Sequence, residues 1–284
     1  MNPEEIHTIV TDLDGTLLND NSMISDFNKK VLEKAIQNGI QFIIATGRRY
    51  FSTNRFASEF SVPLDLICNN GQVLRTSMNG SRILSHYIPE QTTKSIIQLG
   101  KQFGFIPIMH VDQYEEGIDM ITEFHEEHST LKKYVGGAVN RSLSIPNVLH
   151  HSLPVTTVIC FLHNDYQRLV DFEKKYREDI SNYRLKSIIT TIHKIGPCME
   201  LILDGVSKWS GVMEYMKMRN KTLDGIIAFG DEANDIELIQ NASIGVAMKN
   251  GVDSVKQIAK KISDYTNDED GVGKTLLDLG VVQI

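Results

Sequence analysis

Ile6-His7-Thr8-Ile9-Val10-Thr11-Asp12-Leu13-Asp14-Gly15-Thr16 is the stretch that decides the fold. Its first six residues read as a short buried strand. The strand runs directly into two acids spaced two apart. Extended geometry puts residues i and i+2 on the same side. Two carboxylates held close can bind a divalent cation together, or divide acid and base roles between them. The plainer alternative is an acidic strand-to-loop turn in which Gly15 serves the turn.

Working outward, a polar loop leads to Ser25, a suitable N-cap. Phe27, Val31, Leu32 and Ala35 then repeat at helical spacing until Gly39. Gln41–Ala45 is a second strand, ending at Thr46-Gly47-Arg48. A helix over about 54–60 precedes a third strand, Leu64–Cys68, which ends at Asn69-Asn70-Gly71. Strands alternating with helices predict a parallel sheet with crossover connections. Polar clusters follow each strand, and open α/β sheets bind ligands at those carboxyl ends.

The pattern then changes. Val73–Arg75 and Arg82–Leu84 read as a hairpin around Met78-Asn79-Gly80. Within 87–194 the spacing predicts helices near 92–102, 123–134 and 166–179, with strands near 105–110, 155–162 and 185–192. This is an α+β unit inserted into the first domain. The α/β pattern resumes at Met199–Leu203. A helix follows from Ser207-Lys208, then the strand Gly225–Phe229 ending in Gly230-Asp231-Glu232-Ala233-Asn234-Asp235. The last strand is Ile244–Met248, with a helix near 252–261. The expected division is therefore an α/β core of 1–86 with 195–284, and an inserted unit of 87–194.

Bulk properties narrow the function classes. At 284 residues, 41% hydrophobic and 23% charged, the chain has material for a packed core. A net charge of −7 argues against nucleic acid as the main partner. It also means that a carboxylate-rich site needs a cation before it can hold a phosphate dianion. Three widely spaced cysteines with no CxxC pair argue against a disulfide framework or zinc site, and fit a reducing cytoplasm. Met1-Asn2-Pro3-Glu4-Glu5 lacks the basic patch and apolar run of a signal peptide, and no apolar stretch is long enough to span a bilayer. Oligomeric state is not legible.

Four sets of residues could carry chemistry. Asp12 and Asp14 are the first. Thr46, with its hydroxyl and the Gly47 amide, can donate to a phosphate oxygen, where taken alone a plain turn is the simpler reading; Arg48 beside them reads as a supporting residue or a surface one. Lys208 opens a helix, where positive charge is misplaced unless an anion or carboxylates are near; the plainer alternative is a solvated lysine. Asp231 and Asp235 bracket Asn234: the acids suit a hard cation and the amide suits a phosphate oxygen. A single N-cap would explain any one of these three, but capping needs only one. The histidines at 110, 128, 150 and 151 read as ordinary residues of the inserted unit.

Asp12-Leu13-Asp14-Gly15-Thr16, Ala45-Thr46-Gly47-Arg48, Asn70-Gly71, Gly205-Val206-Ser207-Lys208, Gly230-Asp231-Glu232-Ala233-Asn234-Asp235, Gly245-Val246-Ala247-Met248 and Asp270-Gly271-Val272 together resemble the haloacid dehalogenase-like hydrolase superfamily, and within it the Cof-type sugar-phosphate phosphatases. The similarity covers nearly the whole chain. Two departures from the family pattern are Trp209, where a small residue usually follows the lysine, and Lys249-Asn250-Gly251, where Gly-Asn-Ala is usual.

The resemblance implies an α/β, Rossmann-like parallel-sheet core with an inserted α+β cap that sets substrate specificity. It implies that Asp12 attacks phosphorus and that Asp14 serves as general acid and base. Leu13, Thr46, Gly47, Lys208 and Asn234 would hold phosphoryl oxygens. Mg2+ would sit on Asp12, the Asp14 backbone carbonyl and Asp231, with Asp235 and Arg48 as supporting residues. The implied substrate is a small phosphate ester such as a sugar phosphate, pyridoxal phosphate or a flavin or nucleotide monophosphate, with no nucleic-acid or membrane partner. A phosphotransferase or mutase on the same scaffold differs only in the acceptor. A non-enzymatic binding module would have no need of Asp14.

Overall fold

The computed structural model describes residues 6–125, 127–135, 139–192 and 195–283. The N-terminal Met1–Glu5 reading and Glu126, in the expected helical region of the insert, lie outside the described residues. The chain divides into two compact units, 1–85 with 206–284, and 86–205.

The first unit begins with β1 (Thr8–Thr11), α1 (Asp26–Gln37), β2 (Gln41–Ala45), α2 (Tyr50–Ala57), β3 (Asp65–Cys68), β4 (Val73–Thr76) and β5 (Arg82–Ser85). The second unit contains α3 (Glu90–Gln102), β6 (Pro107–Gln113), β7 (Ile118–Thr122), α4 (Ser129–Val135), β8 (Ser142–Ser144), β9 (Thr156–Leu162), α5 (Tyr166–Lys175), α6 (Arg177–Asn182), β10 (Leu185–Ile192) and β11 (Gly196–Leu203). The chain then returns through α7 (Lys208–Met218), β12 (Ile226–Gly230), α8 (Ile236–Asn241), β13 (Ile244–Ala247), α9 (Asp253–Ile258), β14 (Lys261–Ile262) and α10 (Gly271–Asp278).

The first unit is one sheet in the order β14-β13-β12-β1-β2-β3-β4-β5. It is parallel from β14 to β3, and the β4–β5 hairpin adds antiparallel strands at one edge. β1 lies in the middle and every residue in it is buried. Full burial of a central strand is what a parallel sheet covered on both faces requires. Ser25 caps α1 as expected: its hydroxyl accepts from the Asn28 amide at 3.1 Å. Trp209 is buried in an apolar cluster with Ile67, Val212 and Met216.

The second unit is a six-stranded sheet in the order β10-β11-β9-β6-β7-β8. Side chains alternate between its faces. Met109, Ile121, Ile159 and Met199 pack with Phe172 of α5 and Ile97 of α3. Ile108, Met120, Cys160 and Cys198 pack with Leu131 and Val135 of α4.

One boundary differs from the sequence expectation. The strand at 199–203 does not resume the first unit's sheet. It is β11, paired along its length with β10 from Leu185↔Leu203 to Ile192↔Gly196, and on its other side with β9. Met199 and Leu201 are buried in the second unit's core. The return to the first unit therefore falls at Val206 and not at 195. Two strands of this sheet, β7 and β8, also went unanticipated; β7 lies just before the region expected to be helical.

Close packing of α8 against β13 depends on Gly245. A Cβ there would lie 1.8 Å from the Ile239 carbonyl oxygen and 2.6 Å from its carbon. Backbone cannot yield as a flexible side-chain end can. Gly245→Ala should therefore destabilise the protein by about 1–3 kcal/mol, seen as a lower denaturant midpoint at unchanged slope. An unchanged midpoint would contradict this packing.

Candidate active site

Strand register assembles the site. Thr11 is level with Phe229 on one side and Ile44 on the other. Asp12, Thr46 and Asp231 therefore leave three neighbouring strands at the same carboxyl edge, the usual ligand edge of an open α/β sheet. Backbone bonds extend past the strand ends: Asp12 N donates to Phe229 O at 3.0 Å, and Thr46 N donates to Ile67 O at 2.8 Å.

The chain turns sharply after Asp12. Gly15 has φ +70°, a left-handed conformation that glycine adopts without penalty. The missing side chain also matters, because a Cβ there would fall 2.2 Å from Asp231 Oδ2. Thr16 Oγ1 donates to Asp231 Oδ1 at 2.8 Å. Asn250 Nδ2 donates to Gly15 O at 2.7 Å. The turn is thus fastened to Asp231 on one side and to the segment after β13 on the other.

Lys208 opens α7, behind a Ser207 cap whose hydroxyl accepts from Ser210 N at 3.2 Å. Its side chain is 0% exposed, and Nζ lies 2.9 Å from Asp12 Oδ1 and 2.7 Å from Asp235 Oδ1. The lysine that looked misplaced at a helix start is there for these two carboxylates. The other Asp235 oxygen accepts from the backbone amides of Asp231, at 3.0 Å, and Glu232, at 3.1 Å. Asp235 thereby links Lys208 to the loop that carries Asp231.

Asp14 lies apart from this buried group. Its side chain is 56% exposed and paired with Arg48, whose Nε donates to Oδ2 at 2.6 Å and whose second guanidinium nitrogen reaches Oδ1 at 2.5 Å. The Leu13 side chain is buried, so the backbone is what it can offer a ligand. Thr46 is buried, and its hydroxyl oxygen accepts from Arg48 N at 3.2 Å, which leaves its proton for another acceptor. Asn234 Nδ2 donates to Asn70 Oδ1 at 3.0 Å. A Cβ on Gly47 would lie 3.2 Å from that same Asn70 oxygen.

Electrostatics follow from burial. Burial pushes the Asp12 carboxyl up to about 8, against the opposing pull of Lys208 and with reinforcement from Asp235 and Asp231. Burial likewise raises Asp231 to about 7, against the Thr16 hydrogen bond. Burial alone would lower Lys208, but Asp12 and Asp235 outweigh it and hold the ammonium above its ordinary value. The donor set suits a hard divalent cation. Asp12, Asp231 and Asp235 each offer an oxygen, all within 4.8 Å of one another. Three carboxylates against one ammonium leave two negative charges, which one divalent cation cancels. Among the described residues the histidines form no such group: His110 pairs with the Tyr134 hydroxyl at 2.8 Å.

Motif spacing singled out Asp12, Thr46, Lys208 and Asp231, whose positions in the structure are those just described. It did not identify Thr16, Asn250 or Asn70 as parts of the site. The first two act by holding backbone and carboxylate in place, which spacing does not encode. Thr16 and Asn70 each lie in one of the sequence motifs, Asp12-Leu13-Asp14-Gly15-Thr16 and Asn70-Gly71, which was the available signal for them.

Fold and site together define a two-unit α/β hydrolase built around a carboxylate–lysine centre. The chain belongs to the haloacid dehalogenase-like hydrolase family, whose sequence model matches residues 9–276. It is 27% identical over 281 residues to the 5-amino-6-(5-phospho-D-ribitylamino)uracil phosphatase YitU of Bacillus subtilis, covering 95% of this chain and 96% of that protein. It is 26% identical over 277 residues to a second B. subtilis phosphatase described by the same substrate, YcsE, covering 96% and 95%. A crystal structure from Thermotoga maritima superposes with a TM-score of 0.81 at 24% identity, covering 98% of each chain.

The raised carboxyls couple metal to protons. A cation binds the ionised form, so it must displace protons that Asp12 and Asp231 retain near neutral pH. Apparent affinity for a divalent cation should rise with pH and level off above about 8. Without metal, the same groups favour folding most below the ordinary carboxyl value of 3.8, and that contribution is lost progressively as pH rises from there to about 7 for Asp231 and about 8 for Asp12. Calorimetric titration in buffers of different ionisation enthalpy should show net proton release. Affinity independent of pH would contradict the raised values.

Proposed function

We propose that this chain is a magnesium-dependent phosphatase that hydrolyses small phosphate monoesters through an aspartyl-phosphate on Asp12. The observation that carries the reading is the buried Lys208 ammonium shared by Asp12 and Asp235 beside Asp231. A site meant only to hold a cation has no use for a lysine at its centre. A site for a phosphoryl group needs one, because transfer depends chiefly on positioning and charge neutralisation.

In this reading an Asp12 carboxylate oxygen attacks phosphorus in line as the ester oxygen leaves. Asp14 gives that oxygen its proton. Water then attacks the acyl-phosphate, Asp14 takes a proton from it, and Asp12 is released with inorganic phosphate. Covalent catalysis of this kind divides one difficult step into two. Asp14 suits a mobile role, because its carboxylate is 56% exposed and stands apart from the buried carboxylate–lysine group. The Thr46 hydroxyl, the Leu13 and Gly47 amides, Lys208 and Asn234 supply donors to the phosphoryl oxygens. Magnesium, held by the Asp12 and Asp231 carboxylates and the Asp14 carbonyl, would supply Lewis-acid neutralisation of the transferred group.

Substrates are small metabolites carrying one phosphate. The two relatives named for a phosphorylated ribitylaminouracil favour a phosphorylated sugar or polyol over a nucleic acid. The three unbridged cysteines support a reducing cytoplasm as the place of action.

Phosphate release from a panel of sugar, polyol, pyridoxal and nucleotide monophosphates tests the reading. Release should need magnesium, stop with EDTA and fall by roughly three orders of magnitude or more in Asp12→Asn. Undiminished turnover in that variant would sink the proposal. An added sugar that becomes phosphorylated would turn it toward phosphotransfer.

A further inference from the structure

Two consecutive asparagines after β3 hold left-handed backbone. Asn69 has φ 50° and Asn70 has φ 55°, and Gly71 follows at 101°. Residues with side chains seldom adopt this conformation, and where they do the surroundings must hold them there. Here they do. Asn69 N donates to Arg48 O at 2.9 Å and Asn70 N donates to Thr46 O at 3.0 Å. A Cβ on Gly71 would fall 2.1 Å from the Ser207 carbonyl oxygen, so only glycine lets the loop sit against the start of α7. Asn69 is 4% exposed, and its Nδ2 has no hydrogen-bond partner among the described residues. A loop that combines strained backbone with an unpaired buried donor is kept for something other than stability.

What the loop touches indicates its use. Through backbone and side chain it reaches the segments that carry Thr46, Lys208 and Asn234. Asn70 is 8% exposed, and its Oδ1 accepts from Asn234 Nδ2 at 3.0 Å. A side-chain amide has a donor end and an acceptor end. Pairing with a carbonyl oxygen commits the NH2 end of Asn234 to this side and leaves its second N–H for another acceptor. Gly47 stands behind the Asn70 amide, where a Cβ would lie 3.2 Å from Oδ1 and 3.4 Å from Nδ2. A larger residue at 47 would press on that amide.

We propose that Asn70 is a positioning residue of the phosphate pocket, fixing the Asn234 amide so that the pocket meets a phosphate with donors only. Without Asn70 the Asn234 amide can turn and present its carbonyl oxygen, which repels a phosphate oxygen. The inference rests on the phosphatase reading and assigns Asn70 no contact with the substrate.

Asn70→Gly tests it, because glycine keeps the left-handed backbone and removes the side-chain amide whose oxygen accepts from Asn234. With para-nitrophenyl phosphate as substrate and inorganic phosphate as inhibitor, KM and the inhibition constant should each rise about tenfold, the loss expected for one hydrogen bond to the pocket. kcat should change less, and the thermal midpoint should show that the protein remains folded. Asn234→Ala should weaken phosphate similarly. Adding Asn70→Gly to Asn234→Ala should then cost nothing further, since Asn70 acts through Asn234. An Asn70→Gly enzyme that binds phosphate like wild type, or losses that add in the double variant, would overturn the inference alone. A wild type that neither turns over nor binds phosphate would overturn the phosphatase reading, and this inference with it.

Discussion

The site depends on one buried ammonium. Lys208 is fully enclosed and shared between Asp12 and Asp235. Charges buried in this way are costly to desolvate, and removing one partner of such a group typically costs about 3–5 kcal/mol, because the rest is left uncompensated. Each partner is secured separately. Asp12 follows the central strand β1, Lys208 opens a capped helix, and Asp235 is tied to two backbone amides. The result is an electropositive point fixed among carboxylates before any ligand arrives. Preorganisation of that kind lets a donor act on developing charge without first reorganising.

Close approach is the second constraint, and it follows from the first. Two carboxylates and a turn can converge on one lysine only if the backbone between them is thin. Gly15 provides this beside Asp231, and Gly71 beside Ser207. In both places a single methyl group would displace a residue of the site. The short loops after the strands are therefore shaped by the charges they carry and are not interchangeable connectors.

Much of this was legible in the sequence, and the gaps have physical causes. Buried strands followed by polar clusters marked Asp12, Thr46 and Asp231, because hydrophobic periodicity reports strands and the residue after a strand reports the sheet edge. Lys208 was flagged by its conflict with the helix dipole. Periodicity does not say which sheet a strand joins. Met199–Leu203 reads equally well in either unit, and only its pairing with β9 and β10 assigns it to the second. The Arg48–Asp14 pair and the Asn234–Asn70 bond join residues 34 and 164 positions apart in the chain, beyond the reach of any local pattern. The left-handed pair Asn69–Asn70 was equally hidden, although asparagine is one of the few residues that tolerate it.

If the carboxylate beside Lys208 is a nucleophile, it must carry the phosphoryl group during turnover. The most direct measurement is acid quench of the enzyme with a phosphate ester labelled on phosphorus, followed by borohydride reduction and peptide mapping. The account predicts an acid-trapped, hydroxylamine-sensitive label on the peptide containing Asp12, reduced at that residue, and no label in Asp12→Asn. Sustained turnover with no label on Asp12, or with label on another residue, would contradict it.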